Sequence, residues 1–185
     1  NSHKKDPVGT FLNRVHSYER ENRDTNEAET FYFPRSCLHC EDAPCVTVCP
    51  TGASYKREED GIVLVNEDDC MGCGLCAWAC PYGARELDLL SGVMKKCTLC
   101  IDRIYSEELP PEDRVPVCVK SCPTGARAFG DFNDPSSDVS KKVKERGELK
   151  TGNCGRDTLL GLLTFSIFTN RSYHAACPVI GSELL

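Results

Sequence analysis

The stretch that decides the fold is residues 70–81, Cys-Met-Gly-Cys-Gly-Leu-Cys-Ala-Trp-Ala-Cys-Pro. Its four cysteines are spaced C-x2-C-x2-C-x3-C-P, which is typical of bacterial ferredoxins that hold [4Fe–4S] clusters. In that pattern three thiolates bind one cluster, and the fourth binds a neighbouring cluster. The run therefore predicts a partner run elsewhere in the chain.

The partner run lies just upstream, where four cysteines and Pro50 form C-x2-C-x4-C-x3-C-P. Two runs that exchange their last cysteines predict two complete clusters. The first is predicted on Cys37, Cys40, Cys45 and Cys80. The second is predicted on Cys70, Cys73, Cys76 and Cys49. These residues make a two-[4Fe–4S] ferredoxin core.

Zinc and disulfide bonds are the two rival explanations of the cysteines. Zinc uses four ligands, usually as two separated pairs, so a dense run of four cysteines followed by proline fits it poorly. The 14 cysteines in 185 residues would suit a small secreted disulfide scaffold. They are bunched, however, and C-x2-C spacing favours shared metal coordination over long-range cross-links.

The sequence C-P-x-G-A occurs three times, after Cys49, Cys80 and Cys122. Such a repeat indicates a repeated turn, in which proline presets φ and glycine permits an unusual backbone conformation. β-hairpins are predicted from residues 54–57 with 62–65, and from a strand through Asp88 with 93–96. A further strand is predicted at residues 127–129. The third run is Cys97-x2-Cys100, seventeen residues, then Cys118-x3-Cys122.

The remaining segments are less informative. Residues 20–29 are almost wholly polar and predict an exposed loop, and residues 31–34 predict an extended entry to the first run. A short helix is predicted at 101–109, and a solvated helix at 141–150. The expected fold is α+β and ferredoxin-like, with a duplicated core, short hairpins and short helices. The expected divisions are 1–36 (arm), 37–96 (core), 97–130 (half of a second ferredoxin unit) and 131–185 (polar helix and tail).

Composition excludes some classes of function. The formal net charge of −6 argues against nucleic-acid binding, which needs a basic face. No apolar run is long enough to span a bilayer, and the longest, residues 159–168, is about half a span. Only 7 Phe, 1 Trp and 2 Met are available for a core, so folding is expected to depend on the clusters.

Several residues near the runs invite other interpretations. His39 is expected to be a hydrogen-bond donor or a partner contact, and Trp78 is expected to pack against a cluster. Lys95 and Lys96 would raise the potential of a nearby cluster, although solvated surface lysines are the more common finding. A solvated acidic edge is predicted from four carboxylates: Glu58, Glu59, Asp68 and Asp69.

Taken in order, the three runs resemble the iron–sulfur, beta-type subunits of molybdopterin oxidoreductases. That family includes the dimethyl-sulfoxide, polysulfide and tetrathionate reductases, formate enzymes and membrane-bound sulfite dehydrogenase. The resemblance covers residues 9–150 and is close at 36–45, 70–81, 96–100 and 118–126. It implies [4Fe–4S] clusters, a molybdopterin-containing catalytic partner and an integral membrane, quinone-interacting partner.

The chain departs from the family in two places. The family has four runs and four clusters, and the run that precedes the segment similar to residues 9–11 is absent. The resemblance pairs that missing run with the third run. Cys97, Cys100 and Cys118 would then hold an incomplete cluster, and Cys122 would serve a missing one. We therefore expect a fragment of a four-cluster protein, in which the third cluster of this chain alone is three-iron, labile or empty.

An alternative is that Cys154 or Cys177 completes the third site and gives a three-cluster protein. The tail after residue 150 does not resemble the family, and it is either an artefact or a partner-docking segment.

We expect the chain to carry no catalytic residue and to relay electrons between the catalytic subunit and the membrane anchor. It would be membrane-associated through partners, with the cytoplasmic side favoured over the periplasmic. The alternatives are a self-contained iron–sulfur oxidoreductase with an open iron at the third motif, and a stand-alone polyferredoxin. A redox sensor would need an effector module that the sequence lacks.

Overall fold

The computed structural model describes residues 9–21, 26–123, 125, 127–131, 134–146 and 160–164. The strands are β1 (Asn13–Glu21), β2 (Ala28–Ser36), β3 (Ser54–Lys56), β4 (Val63–Val65), β5 (Glu86–Leu87), β6 (Met94–Lys95), β7 (Arg127–Asp131) and β8 (Leu160–Thr164). The α-helices are α1 (Pro44–Thr47), α2 (Leu75–Trp78), α3 (Ile101–Ile104), α4 (Val117–Lys120) and α5 (Asp138–Arg146). Within the described ranges the strands pair as antiparallel ribbons β1–β2, β3–β4, β5–β6 and β7–β8. Short helices and small sheets agree with the predicted α+β class. Among the described segments, no helix has the length and apolar character needed to cross a membrane.

The N-terminal region contains a hairpin, and the exposed loop or arm predicted at residues 20–29 is wrong at its two ends, where residues 20–21 and 28–29 lie in β1 and β2. Residues 26–27 are exposed and outside the strands, as predicted, and 22–25 lie outside the described residues. β1 and β2 pair along nine positions, from Asn13 opposite Ser36 to Glu21 opposite Ala28. Polar composition suggested a loop, but a two-stranded ribbon can expose both faces to water and still satisfy its backbone through the partner strand. The extended conformation predicted for residues 31–34 is confirmed, because they lie within β2.

The three C-P-x-G turns share one local structure. In each, a four-residue helix ends just before the cysteine, and the glycine N–H donates to the carbonyl of that cysteine, at 3.2–3.3 Å. Gly52, Gly83 and Gly125 all have positive φ, at 72°, 56° and 61°. Glycine adopts this conformation without the steric cost that other residues meet. The repeated turn predicted from the sequence is confirmed.

The turns lead into the predicted hairpins. β3 pairs with β4 after the first turn, and β5 pairs with β6 after the second. The strand predicted after the third turn is β7, but its partner is β8, which lies in the segment that departs from the family. The chain after Cys122 thus forms its strand pair with a distant segment.

The two predicted helices have different bounds in the structure. α3 ends at Ile104, and a 3₁₀ turn at Pro111–Asp113 follows it within the long insert. α4 begins at the last residue of the insert, Val117, and extends past Cys118. The charged C-terminal helix is α5, which begins at Asp138, and residues 147–150 of the prediction lie outside the described ones. Val139 is buried at the start of α5 and packs near Gly130 of β7, so this helix is only partly solvated.

The apolar core lies between the cysteine runs. One group of buried residues joins α1, β4, α2 and β6: Ala43, Cys45, Val63, Cys76 and Met94. A second group comprises Ile62, Leu99 and Ile104. Buried Asp60 links the first hairpin to the long insert, because its carboxylate accepts hydrogen bonds from the Ile62 N–H and the Tyr105 hydroxyl.

Gly72 is the point of closest approach between the second run and the β5–β6 turn. A Cβ atom placed on Gly72 would lie 2.1 Å from the carbonyl oxygen of Gly92, which is a backbone atom and cannot rotate away. Gly72 also has a φ of 68°. Two independent constraints therefore require glycine here.

Replacing Gly72 by alanine should destabilise the chain more than replacing Gly74. Gly74 also has positive φ, but a Cβ on it meets nothing within 4 Å, so Gly74→Ala is expected to cost only the left-handed backbone strain of about 1–2 kcal/mol. Gly72→Ala adds the backbone clash and should lower the thermal midpoint of the full chain further. Equal midpoints for the two variants would contradict this close approach.

Candidate iron–sulfur sites

The first candidate site is a cavity between the two runs. Three cysteines of the first run and the last cysteine of the second line it together. The lining residues are Cys37, Leu38, Cys40, Pro44, Cys45, Val63, Cys80, Pro81, Tyr82, Ala84 and Arg85. The second turn carries Cys80 away from its own run and toward the first run.

The second candidate site has the reciprocal composition. Three cysteines of the second run and the last cysteine of the first line this cavity. The lining residues are Cys49, Thr51, Ala53, Ser54, Val65, Cys70, Met71, Gly72, Cys73, Cys76, Arg85 and Met94. The structure thus gathers the eight predicted ligands into the two groups of four that the spacing predicts.

The loop before the second cysteine of each run has a left-handed residue. His39, Gly72 and Leu99 have φ values of 48°, 68° and 55° at this equivalent position. For His39 and Leu99 the conformation is strained, at about 1–3 kcal/mol, and both side chains are buried. Left-handed residues in such loops turn successive N–H groups inward, as in many iron–sulfur and phosphate sites. The spacing alone did not predict this feature.

Backbone N–H groups also donate to cysteine sulfur in the second site. The Ser54 N–H lies 3.3 Å from Cys49 Sγ, and the Met94 N–H lies 3.4 Å from Cys70 Sγ. Burial acts to raise the pKa of the Cys49 thiol, but hydrogen bonds from Ser54, Thr51 and Ala53 together lower it. These donors favour the thiolate, which is the form that binds a metal.

Arg85 is the functional residue that the sequence interpretation missed. It is buried and lines both cavities. Its Nη2 donates to Cys45 Sγ at 2.9 Å and to Ser54 Oγ at 2.7 Å. Arg85 follows C-P-x-G-A in the second repeat, where the first repeat has Ser54 and the third has Arg127. Arginine at this position in two of the three repeats is the signal that the sequence offered.

His39 and the two lysines are more buried than the sequence suggested. His39 is 2% exposed, and its Nδ1 accepts a hydrogen bond from the Val63 N–H at 3.0 Å, so the expected contact with a partner protein is wrong. Burial and then the nearby Lys96 and Arg85 charges hold the pKa of His39 well below its usual value. Lys95 pairs with Glu67 at 2.6 Å, and Lys96 donates to the Cys97 carbonyl at 2.6 Å.

Trp78 does not pack against either site, contrary to expectation. Its side chain is 89% exposed, on the opposite side of α2 from buried Cys76. Leu75, one helical turn away, and Cys73 are exposed as well. The predicted solvation of the four carboxylates is confirmed, because Glu58, Glu59, Asp68 and Asp69 are all exposed.

The third run packs against the first hairpin, because its Leu99 is buried with Ile62. Burial raises the pKa of the Cys97 thiol to about 11. Cys100 is buried; Cys118 lies within α4, Cys122 lies two residues after it, and both are partly buried. Cys154 and Cys177, the alternative ligands of this site, lie outside the described residues.

The donor sets fit [4Fe–4S] clusters. Each cavity offers four cysteine thiols, which is the ligand set of such a cluster. No disulfide bond joins the cysteines that the structure describes. Across the same residues, no three possible ligands are close enough to hold one metal ion, and the thiols instead surround the cavities. Buried Nη1 of Arg85, which has no hydrogen-bond partner among the described residues, adds a donor suited to sulfur.

Known proteins with similar sequences share this cysteine-rich region. The chain is 58% identical over 147 residues to the B subunit of sulfite dehydrogenase from Allochromatium vinosum, which covers 80% of this chain and 60% of the relative. It is 40% identical over 139 residues to the B subunit of tetrathionate reductase from Salmonella typhimurium, covering 75% of this chain and 53% of the relative.

The B polypeptide of polysulfide reductase from Wolinella succinogenes is 44% identical over 119 residues, covering 64% of this chain and 59% of the relative. The chain thus spans about half to three fifths of the length of these relatives. Residues 28–132 match the family model described as a 4Fe-4S dicluster domain, whose cofactors are [4Fe–4S] clusters. The match extends over more than half of the chain and contains all the cysteines of both cavities, so the chain belongs to the 4Fe-4S dicluster domain family.

Proposed function

We propose that the chain is the iron–sulfur electron-transfer subunit of a molybdopterin oxidoreductase complex. It relays electrons between the catalytic subunit and a quinone-linked membrane anchor. The observation that carries this proposal is the pair of cavities, each lined by three cysteines of one run and the last cysteine of the other. The names of its relatives, which are B subunits of sulfur-compound reductases and of a sulfite dehydrogenase, support the same role.

The proposed ligands are those predicted from the spacing. One cluster is bound by Cys37, Cys40, Cys45 and Cys80. The other is bound by Cys70, Cys73, Cys76 and Cys49. When bound, the clusters supply one-electron transfer, which the protein tunes by burial, hydrogen bonds and charge. The protein performs the other tasks: the loops hold the thiols around the cavities, the Ser54 and Met94 N–H groups stabilise thiolates, and Arg85 contributes a positive charge.

The proposed core, residues 37–96, is a duplicated unit. The matching turns after Cys49 and Cys80, followed by matching hairpins β3–β4 and β5–β6, support the duplication. Residues 97–130 form half of a second such unit, in which Cys97, Cys100 and Cys118 bind a further cluster. Residues 1–36 and 131–185 flank these units.

The three sites form a row in this proposal. Leu99 of the third run packs against Ile62, the neighbour of Val63 in the lining of the first cavity, so the third site is placed beside the first. The second site adjoins the first, because Arg85 lines both cavities. Electrons therefore have a path from the third site through the first to the second, or the reverse. Partners bind near the ends of this row, and the membrane anchor holds the complex at the cytoplasmic side of the membrane.

The exchange of the last cysteines gives the first prediction of this proposal. Cys80→Ala should damage the same cluster as Cys40→Ala, because both residues are proposed ligands of the first site. Cys49→Ala should match Cys73→Ala in the same way. The measurement is iron and sulfide content together with the electron paramagnetic resonance (EPR) spectrum of the reduced protein.

Each variant pair serves as the control for the other. If each cluster used only its own run, Cys80→Ala would match Cys73→Ala instead, and the exchange would be wrong. Zinc in place of iron in the anaerobically purified chain would overturn the cluster assignment altogether.

The relay role gives a second prediction. The purified chain should be reduced and reoxidised by redox dyes, because buried clusters exchange single electrons. It should not turn over sulfite, sulfoxide, tetrathionate or polysulfide until a molybdopterin-containing subunit is added. Turnover of any of these compounds by molybdenum-free chain would show that the chain is itself an enzyme.

A further inference from the structure

We infer that Arg85 is a positioning residue shared by both clusters, and that its charge raises their two reduction potentials together. This inference rests on the proposed ligation of [4Fe–4S] clusters in the two cavities. Arg85 is one residue beyond the second C-P-x-G-A turn, so the turn that delivers Cys80 to the first site also sets the position of Arg85.

The hydrogen bonds of Arg85 fix its guanidinium at the first site. Nη2 donates to Cys45 Sγ at 2.9 Å and to Ser54 Oγ at 2.7 Å. Ser54 lies in β3 and lines the second cavity, and its backbone N–H donates to Cys49 Sγ. Arg85 is thus bonded directly to Cys45, a proposed ligand of the first cluster, and through Ser54 to Cys49, a proposed ligand of the second.

The guanidinium also acts on the second site. Arg85 lines that cavity together with Cys76. Arg85 therefore donates a hydrogen bond to Cys45 of one proposed ligand set and lines the same cavity as Cys76 of the other. Both thiols are buried, so water screens these interactions weakly.

The remaining N–H groups of Arg85 require acceptors. Nη1 is buried and has no hydrogen-bond partner among the described residues. An unsatisfied buried donor on a charged group is costly. Cluster sulfur in either cavity would supply the missing acceptor, and hydrogen bonds to sulfur are among the factors that set cluster potentials.

A cation shared by two clusters favours the reduced state of each, because reduction adds negative charge. The other buried cations nearby are placed differently. Lys95 is paired with Glu67, Lys96 binds the Cys97 carbonyl, and neither lines a cavity. Lysine could not replace Arg85 fully, since a single ammonium group lacks the planar fork of donors that serves several acceptors at once.

The test is a redox titration, followed by EPR, of the full chain with its clusters assembled. In Arg85→Gln the equilibrium constant for one-electron reduction should fall at least tenfold at both clusters, which is about 59 mV at each. Arg85→Lys keeps the charge and should lie between wild type and Arg85→Gln. The matched control is Arg57→Gln, which removes a partly exposed arginine that pairs with Asp60 and lines neither cavity, and should leave both potentials unchanged.

Three results would overturn the inference: unchanged potentials in Arg85→Gln, a shift at one cluster only, or potentials in Arg85→Lys as low as in Arg85→Gln. If Arg85→Gln loses iron, the potentials of Arg85→Lys and Ser54→Ala test the inference instead. Each of these variants keeps a cation at the site but moves it. The two cluster potentials should therefore shift in the same direction in each variant. Loss of iron in all three variants would assign Arg85 to packing alone. Iron analysis of the wild type separates the two proposals: a chain without iron refutes the clusters, whereas full iron content with unchanged potentials refutes only the role of Arg85.

Discussion

The constraint on which the structure depends is the reversal of the chain after the last cysteine of each run. A short helix ends, the cysteine follows, and proline and a positive-φ glycine turn the chain into a hairpin. The first two hairpins return the chain to the start of the next run, and residues of β3, β4 and β6 line the two cavities. The core groups, the backbone donors to sulfur and the position of Arg85 all depend on this turn.

The sequence predicted the parts of this arrangement that spacing determines. The grouping of eight cysteines, the repeated turn and the hairpins at β3–β4 and β5–β6 follow from residue types at fixed offsets, which act locally. The α+β class follows from the same elements. The ligands themselves remain a proposal, and Cys154 and Cys177 lie outside the described residues.

The features that the sequence did not predict depend on tertiary contacts between distant segments. Arg85 directly follows a turn, and its local sequence does not distinguish it from a surface arginine. Its position in the lining of both cavities depends on how the two runs pack together. His39 and Lys96 are buried because the hairpin and the third run cover them, which no local pattern indicates. The β1–β2 ribbon was missed because β1 is mostly polar and its two apolar residues, Val15 and Tyr18, fall on opposite faces, so hydrophobic alternation was weak.

The buried charges beside the cysteine runs have the opposite sign to the net charge of the chain. The net charge is −6, yet Arg85, Lys95 and Lys96 are buried beside the cysteine runs, while the acidic residues at 58–59 and 68–69 are exposed. Positive groups close to sulfur compensate for thiolates that would otherwise repel one another. Negative groups in water keep the surface soluble without acting strongly on the buried sites.

The exposure of Trp78 has a practical consequence. It is the single tryptophan of the chain, it lies between Cys76 and Cys80, and almost all of its side chain faces solvent. Its fluorescence therefore arises from one known, solvent-exposed position next to the proposed ligands. A change in emission wavelength would report whatever molecule covers α2, and a change in intensity would report the assembly of iron beside it.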